Sequence, residues 1–94
     1  MSLVDARFTA ADGVGLAWHE TGQGRPLVLL HGYISDACMN WVKHGHADAL
    51  AAAGFRVIMP DLRGHGDSDR PHDRACYPPD VLADDGLALV EHLE

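Results

Sequence analysis

Two glycine-containing segments of this chain carry the residues best suited to chemistry, and each follows a short apolar run. His31-Gly32-Tyr33-Ile34 comes after Leu27 to Leu30, and a second segment, Asp61 to Ser68, comes after Phe55 to Met59. Polar loops at the carboxyl ends of strands are where α/β proteins bind ligands. Because glycine lets the backbone turn sharply, peptide N–H groups near Gly32 can face a cleft. Acyl transfer needs such donors, since negative charge develops on a carbonyl oxygen.

No serine or cysteine has the surroundings of a complete nucleophile motif. Gly66-Asp67-Ser68 matches the first half of Gly-x-Ser-x-Gly, but Arg70 occupies the position of the second glycine and no strand leads directly into the motif. Cys38 begins a predicted helix, where the pKa of a thiol can fall. We interpret Cys38 instead as a small buried side chain.

Metal and cofactor sites are not predicted. The chain has seven histidines, and His44 and His46 are two residues apart. Zinc sites usually need four ligands, often with histidines three to five residues apart, so we interpret these histidines as solvated surface residues.

The elements that must position the two loops can be read from periodicity and turn residues. Asp12-Gly13 marks a hairpin turn, and the unbroken apolar run at Leu27 to Leu30 is typical of a strand buried on both faces. The predicted elements, in the order β-β-β-α-β-α, are strands at 6–11, 14–20 and 26–30, a helix capped by Ser35 or Asp36 with a break at Gly45, a strand at 55–59, and a helix at 79–93. The predicted apolar stripe of the last helix is Leu82, Gly86, Leu89 and Leu93, widened by Leu87 and Val90.

Composition limits the classes of function. Ninety-four residues make one small domain or part of a larger one, and the formal net charge of −7 argues against nucleic acid and anionic membranes as partners. No apolar run approaches the ~18 residues of a membrane span, and no signal peptide is visible at the N-terminus. The two cysteines are unpaired in pattern, so we expect reduced thiols in a cytoplasmic protein.

The two motifs and the helix between them resemble the opening part of the α/β-hydrolase superfamily, from about Arg7 to Leu93. The resemblance implies an α/β fold in which residues 1–94 form the N-terminal portion of a single, mostly parallel hydrolase domain, with an incomplete sheet. It further implies that Asp61 to Ser68 is a loop beside the active-site mouth, in which Arg63, Gly64 and Ser68 shape the site without reacting.

The same resemblance implies roles for the residues of the first loop. The backbone N–H of Tyr33 would donate to the oxyanion, and His31, Gly32 and Ile34 would contact a small-molecule substrate. Trp41 is open to two interpretations, as pocket wall or as core. The family's nucleophile, acid and histidine follow its fifth strand, so all three are expected beyond Glu94 and the chain alone is expected to be inactive.

The activity implied is hydrolysis of a carboxylic ester or similar small substrate. Alternatives are a segment of an epoxide hydrolase or haloalkane dehalogenase, which use an aspartate nucleophile, or a non-catalytic fragment that packs on a partner. Tyr33 departs from the asparagine usual in the dehalogenases. The strand at residues 27–30 would lack a neighbour, so we expect self-association or the remainder of a hydrolase chain to cover that edge.

Overall fold

The computed structural model of the chain describes residues 3–32, 35–72, 74–77 and 79–93, without the side chain of Arg74. It confirms the predicted order of strands and helices. The elements are β1 (Val4–Thr9), β2 (Gly15–Thr21), β3 (Arg25–Val28), a π-helical segment (Cys38–Val42), α1 (His46–Ala52), β4 (Phe55–Pro60), a 3₁₀ turn (Arg74–Cys76) and α2 (Val81–Leu93).

The four strands form one sheet in the order β1-β2-β4-β3. β1 and β2 form the predicted antiparallel hairpin around Asp12-Gly13, and Gly13 adopts a φ of +89° that suits such a turn. β2 is antiparallel to β4, whereas β3 and β4 are parallel, with Leu27 opposite Val57. The parallel pair confirms the predicted crossover through the intervening helix.

The helical region between β3 and β4 is interrupted as predicted. Asp36 caps its start, because its Oδ1 accepts a 2.7 Å hydrogen bond from the N–H of Met39. Gly45 then adopts a φ of +82° and separates the π-helical segment from α1. Gly54, with a φ of +99°, follows α1 at the position where a left-handed residue ends a helix.

The core lies on both faces of β4. Val57 and Met59 pack with Ala37 and Ala47 on the face covered by the π-helical segment and α1. Ile58 packs with Trp18 and Leu89 on the face covered by α2. This arrangement of helices on both faces of a parallel pair is what an α/β architecture requires.

β3 differs from the prediction of burial on both faces. Val28 is 36% exposed and Leu30 is 55% exposed. The physical reason is that β3 lies at the edge of the sheet, where β4 is its only neighbour among the described residues.

α2 buries part of the face that was predicted. Leu89 is buried and Leu93 packs against the core as predicted, whereas Leu82, Leu87 and Val90 are exposed. Val81 and Asp85 are buried instead, and the Asp85 carboxylate pairs with the buried Arg63. No helix in the described part of the chain has the length and apolar character needed to cross a membrane.

Candidate functional site

The two loops singled out in the sequence lie side by side at one edge of the sheet. β3 and β4 are parallel, and the N–H of Leu29, the residue after β3, donates to the carbonyl oxygen of Ile58 at 2.9 Å. His31-Gly32 follows β3, and Asp61 to Ser68 follows β4. The structure therefore brings together the carboxyl ends that the sequence predicted to form a site.

His31 is buried and joins the two loops. Its Nε2 accepts a 2.9 Å hydrogen bond from the backbone N–H of Leu62, and its Nδ1 lies 2.8 Å from the carbonyl oxygen of Gly32. The ring also contacts that of His65, with 5.0 Å between centroids. Both nitrogens of His31 are thus engaged with the backbone of the protein itself.

Gly32 is exposed, and its amide is already paired. The N–H of Gly32 donates to Oδ1 of Asn40 at 2.6 Å. Tyr33 and Ile34 lie outside the described residues. The roles of all four residues of this loop in binding or catalysis stay predictions.

Asp61 is the buried centre of the second loop. Its Oδ1 accepts a 2.8 Å hydrogen bond from the N–H of Ala37, and its Oδ2 accepts one of 3.0 Å from the N–H of Asp67. Burial opposes ionisation of this carboxyl group, but these amides and the imidazole of His19 outweigh it and lower its pKa. Asp61 therefore ties the start of the π-helical segment to the loop after β4.

His19, on β2, lies between two carboxylates. Its Nε2 is 3.0 Å from Oδ2 of Asp61, and its Nδ1 contacts Oδ1 of Asp5. Ionised carboxylates only accept hydrogen bonds, so both ring nitrogens carry protons and the ring is an imidazolium. The hydrogen bond to Asp61 is the main reason that the pKa of His19 rises to about 9.

His19, Asp61 and the exposed Asp67 also place one potential metal-ligand atom each within 4.8 Å of one another. Two of these atoms are hydrogen-bonded to each other, and Asp61 is further occupied by two backbone amides. We interpret the group as an ion-pair network that holds β2 against the second loop.

Arg63, in the second loop, is buried and makes several hydrogen bonds. Its Nε and Nη2 donate to the two carboxylate oxygens of Asp85 at 2.7 and 2.6 Å, and its Nη1 donates to Asp12 at 2.7 Å. Nη1 also donates to the carbonyl oxygen of Cys76. The hydrogen bond from Arg63 lowers the pKa of Asp12. The guanidinium therefore has a structural role, because its contacts hold the second loop against the β1–β2 turn and α2.

The comparisons with known proteins decide the family. Residues 25–94 match the sequence profile described as the alpha/beta hydrolase fold. The chain belongs to the alpha/beta hydrolase family. This match includes both loops and both helices, and it confirms the fold class expected from the sequence.

Individual relatives agree with this family. The chain is 34% identical over 85 residues to an epoxide hydrolase of Caballeronia sordidicola, covering 90% of this chain and 25% of the relative. It is 40% identical over 88 residues to the non-heme chloroperoxidase CPO-A1 of Kitasatospora aureofaciens, covering 92% and 30%. The epoxide hydrolase VrEH1 from Vigna radiata superposes with a TM-score of 0.83 at 27% identity, covering 97% and 28%. The chain thus spans about a quarter to a third of these hydrolase-fold proteins.

Ser68 has a structural environment within this alpha/beta hydrolase segment. Its hydroxyl is buried, accepts a 2.8 Å hydrogen bond from the N–H of Ala17, and donates to the carbonyl oxygen of Asp61 at 2.6 Å. A nucleophile needs an accessible oxygen next to a base, whereas the Ser68 hydroxyl is buried and both of these hydrogen bonds are to the backbone.

Cys38 and Trp41 complete the list of candidates. Cys38 is exposed at the start of the π-helical segment, so its interpretation as a buried side chain is wrong. Local desolvation and the Asp36 carboxylate raise the pKa of its thiol, which disfavours the reactive thiolate. Trp41 is half-buried and packs against the core cluster that contains Val57 and Met59. This agrees with its interpretation as a core residue.

The sequence did not predict the contacts of three residues: His19, Asp61, which accepts several hydrogen bonds, and Asp85. Their partners lie far away in the chain: His19 and Asp61 are 42 residues apart, and Arg63 and Asp85 are 22 apart. No local spacing signals such pairs. The one available hint is that an arginine within a glycine-rich loop needs a carboxylate if the fold buries it.

Proposed function

We propose that this chain is the N-terminal part of a hydrolase that acts on a carboxylic ester or similar small substrate. In this proposal the chain contributes a backbone N–H, that of Tyr33, to the stabilisation of the oxyanion. The observation that supports it is the anchoring of Gly32 on both sides: its amide is held by Asn40 and its carbonyl oxygen by His31. A donor that follows such a fixed peptide is preorganised.

The chemistry follows from where charge develops. When a nucleophile attacks the carbonyl carbon of an ester, the carbonyl oxygen becomes an oxyanion, and water later hydrolyses the acyl-enzyme. One preorganised donor accelerates such a step by ~10²–10³. The His31-Gly32 loop lies at the carboxyl ends of the parallel strands, where α/β enzymes bind substrates.

The attacking residue is proposed to lie in the remaining part of the hydrolase domain. Ser68 and Cys38 lack the environment of a nucleophile, as described above. The relatives are three to four times as long as the matched segment. The chain alone is therefore proposed to be inactive.

Epoxide hydrolysis is the second candidate, because the relatives from Caballeronia sordidicola and Vigna radiata carry that name. A carboxylate nucleophile that opens an epoxide forms an ester with the enzyme. Hydrolysis of that ester generates an oxyanion as well, so the proposed role of the Tyr33 N–H is the same. The two candidates differ in the nucleophile and in the substrate.

The test uses the complete natural polypeptide that contains these residues. Steady-state kinetics with p-nitrophenyl acetate and with styrene oxide decide between the substrates: ester turnover supports the first candidate and epoxide turnover the second. Tyr33→Pro removes the backbone N–H and is expected to lower kcat by about 10²-fold or more, whereas Tyr33→Phe keeps the N–H and most of the activity. Equal activity of the two variants, at equal stability, contradicts the oxyanion role.

We also propose that the remainder of a hydrolase domain covers the edge of β3 that no described strand pairs. Val28 and Leu30 are exposed at this edge, and Leu82, Leu87 and Val90 of α2 expose a further apolar strip. The relatives have the additional length needed to supply strands and helices. Light scattering on the purified 94-residue chain tests this proposal, because a chain with this edge and apolar strip uncovered is expected to aggregate. A stable, well-folded monomer contradicts the proposal, and a defined dimer replaces the proposed occupant with a second copy.

A further inference from the structure

A cavity of about 640 Å³ lies where the second loop meets the start of α2. Two charged residues, two ring-bearing residues and apolar residues of α2 line it, among them Arg63, His65, Tyr77, Asp80, Val81 and Leu82. Small-molecule sites in proteins are concave, mostly apolar and furnished with a few polar groups. The cavity therefore has the general form of a ligand site.

The two rings in the wall of this cavity are held by backbone carbonyl groups. The Tyr77 hydroxyl donates to the carbonyl oxygen of Pro71 at 2.8 Å. Nδ1 of His65 lies 3.0 Å from the carbonyl oxygen of Arg63. Because a carbonyl oxygen can only accept, this Nδ1 carries a proton and donates it. Rings that are fixed in this way offer flat surfaces on which an aromatic ligand can pack.

The polar groups of the cavity limit the chemistry of the ligand. In the neutral imidazole of His65 the proton is on Nδ1, so Nε2 is an acceptor, and no described residue donates to it. The Arg63 guanidinium is already paired with Asp85 and Asp12, whereas Asp80 is an exposed carboxylate. The described lining thus offers an acceptor and a negative charge but no unpaired cation. This favours a neutral ligand that carries a hydrogen-bond donor over an anion.

We propose that this cavity binds a neutral aromatic molecule with a hydroxyl group, such as a phenol. The ring of the ligand packs on Tyr77 and His65, and its hydroxyl donates to Nε2 of His65. The site adjoins the first loop, because the ring centroids of His65 and His31 are 5.0 Å apart. The inference does not depend on ester or epoxide hydrolysis, since it uses neither the oxyanion donor nor a nucleophile.

Two probes that differ in one group test the hydrogen bond. We would titrate 2-naphthol and 2-methoxynaphthalene, which lacks the donor, into the ¹⁵N-labelled complete natural polypeptide and record NMR spectra. Saturable shifts are expected at the backbone amides of His65, Tyr77 and Ala83, with 2-naphthol bound roughly 3–10-fold more tightly than the ether. His65→Phe keeps a ring but removes Nε2, so it should abolish this difference between the probes.

A matched pair of substitutions tests the location. Ala83→Trp places a large side chain in the lining of the cavity and should weaken binding of 2-naphthol roughly 10-fold or more, because it occupies the space of the ligand. Ala52→Trp is the control: Ala52 is also an exposed alanine of a helix, but α1 packs on the face of the sheet opposite α2. The control should leave the Kd unchanged.

Three results would overturn the inference. The first is the absence of saturable shifts at the cavity, which would mean that another segment of the complete polypeptide fills it. The second is a Kd that is the same in Ala83→Trp and Ala52→Trp, and the third is equal affinity of the unsubstituted polypeptide for the two probes. If Ala83→Trp does not fold, intermolecular NOEs between 2-naphthol and the Ala83 methyl group decide the location: their presence supports the site and their absence contradicts it.

Discussion

Nε2 of His19 lies 3.0 Å from Oδ2 of Asp61, and this buried contact joins the second strand to the loop after the fourth. The imidazolium is enclosed by the carboxylates of Asp61 and Asp5, while Asp61 also accepts from the amides of Ala37 and Asp67. Since the same Asp61 holds the start of the helical region and the second loop, the geometry of the site depends on one charged pair.

The His19–Asp61 pair predicts a pH dependence of stability. The folded-state pKa of His19, about 9, lies above its ordinary value of 6.5. Its contribution is therefore fully present below pH 6.5 and is lost as pH rises to about 9, by up to about 3 kcal/mol. Urea unfolding at pH 6, 7.5 and 9 measures this loss. His19→Gln should abolish the slope in this window; an unchanged slope in that variant would assign it to another group.

Breaking the Arg63–Asp85 pair is expected to be costly. Arg63→Ala leaves the carboxylate of Asp85 buried without its two guanidinium donors. Loss of one partner of a buried ion pair typically costs about 3–5 kcal/mol. Arg7→Ala is the matched control, because the Arg7–Asp69 pair is exposed and is worth about 1 kcal/mol or less. Thermal unfolding compares the two, and equal losses would contradict the role given to Arg63.

Ser68→Ala tests whether the hydroxyl is structural. The change leaves the N–H of Ala17 unpaired in a buried position, which costs about 1–3 kcal/mol. In the complete natural polypeptide kcat should fall less than about 10-fold, whereas removal of a serine nucleophile costs about 10⁶-fold. Ser35→Ala is the control for stability, because the buried Ser35 hydroxyl has no hydrogen-bond partner in the described part of the chain.

Gly66→Ala tests the packing around Asp61. Gly66 has a φ of +50°, and a methyl group there would overlap the Asp61 carboxylate. Gly13 also has a positive φ, but nothing lies within 4 Å of its added methyl group. Gly13→Ala should therefore cost only the backbone strain of about 1–2 kcal/mol, and Gly66→Ala clearly more. Denaturant midpoints measure both; equal losses would show that Asp61 moves without cost.

Local signals predicted the elements, while distant pairs decided the site. The Asp12-Gly13 turn, the Gly45 break and the parallel pair were predictable, because each depends on a few neighbouring residues. The burial of Asp85 on α2 was not predictable, because it depends on the ion pair with Arg63, 22 residues away in the chain. Burial of β3 was predicted too high, since burial depends on neighbours that the described sheet does not supply.

The position of the two loops was predictable, whereas their internal contacts were not. His31 was selected for its place after an apolar strand, and the structure brings it beside the second loop as expected. Its engagement with Leu62 and Gly32 depends on ring orientation, which no sequence pattern encodes. Tyr33, the proposed donor, stays a prediction.

We propose that these residues supply a hydrogen-bonding loop of a hydrolase and not its attacking group. The most direct measurement is hydrolysis of p-nitrophenyl acetate by the purified 94-residue chain and by the complete natural polypeptide, at equal molar concentration. We expect background rates for the chain and saturable turnover for the complete polypeptide. Saturable turnover by the 94-residue chain that disappears in Ser68→Ala would contradict it.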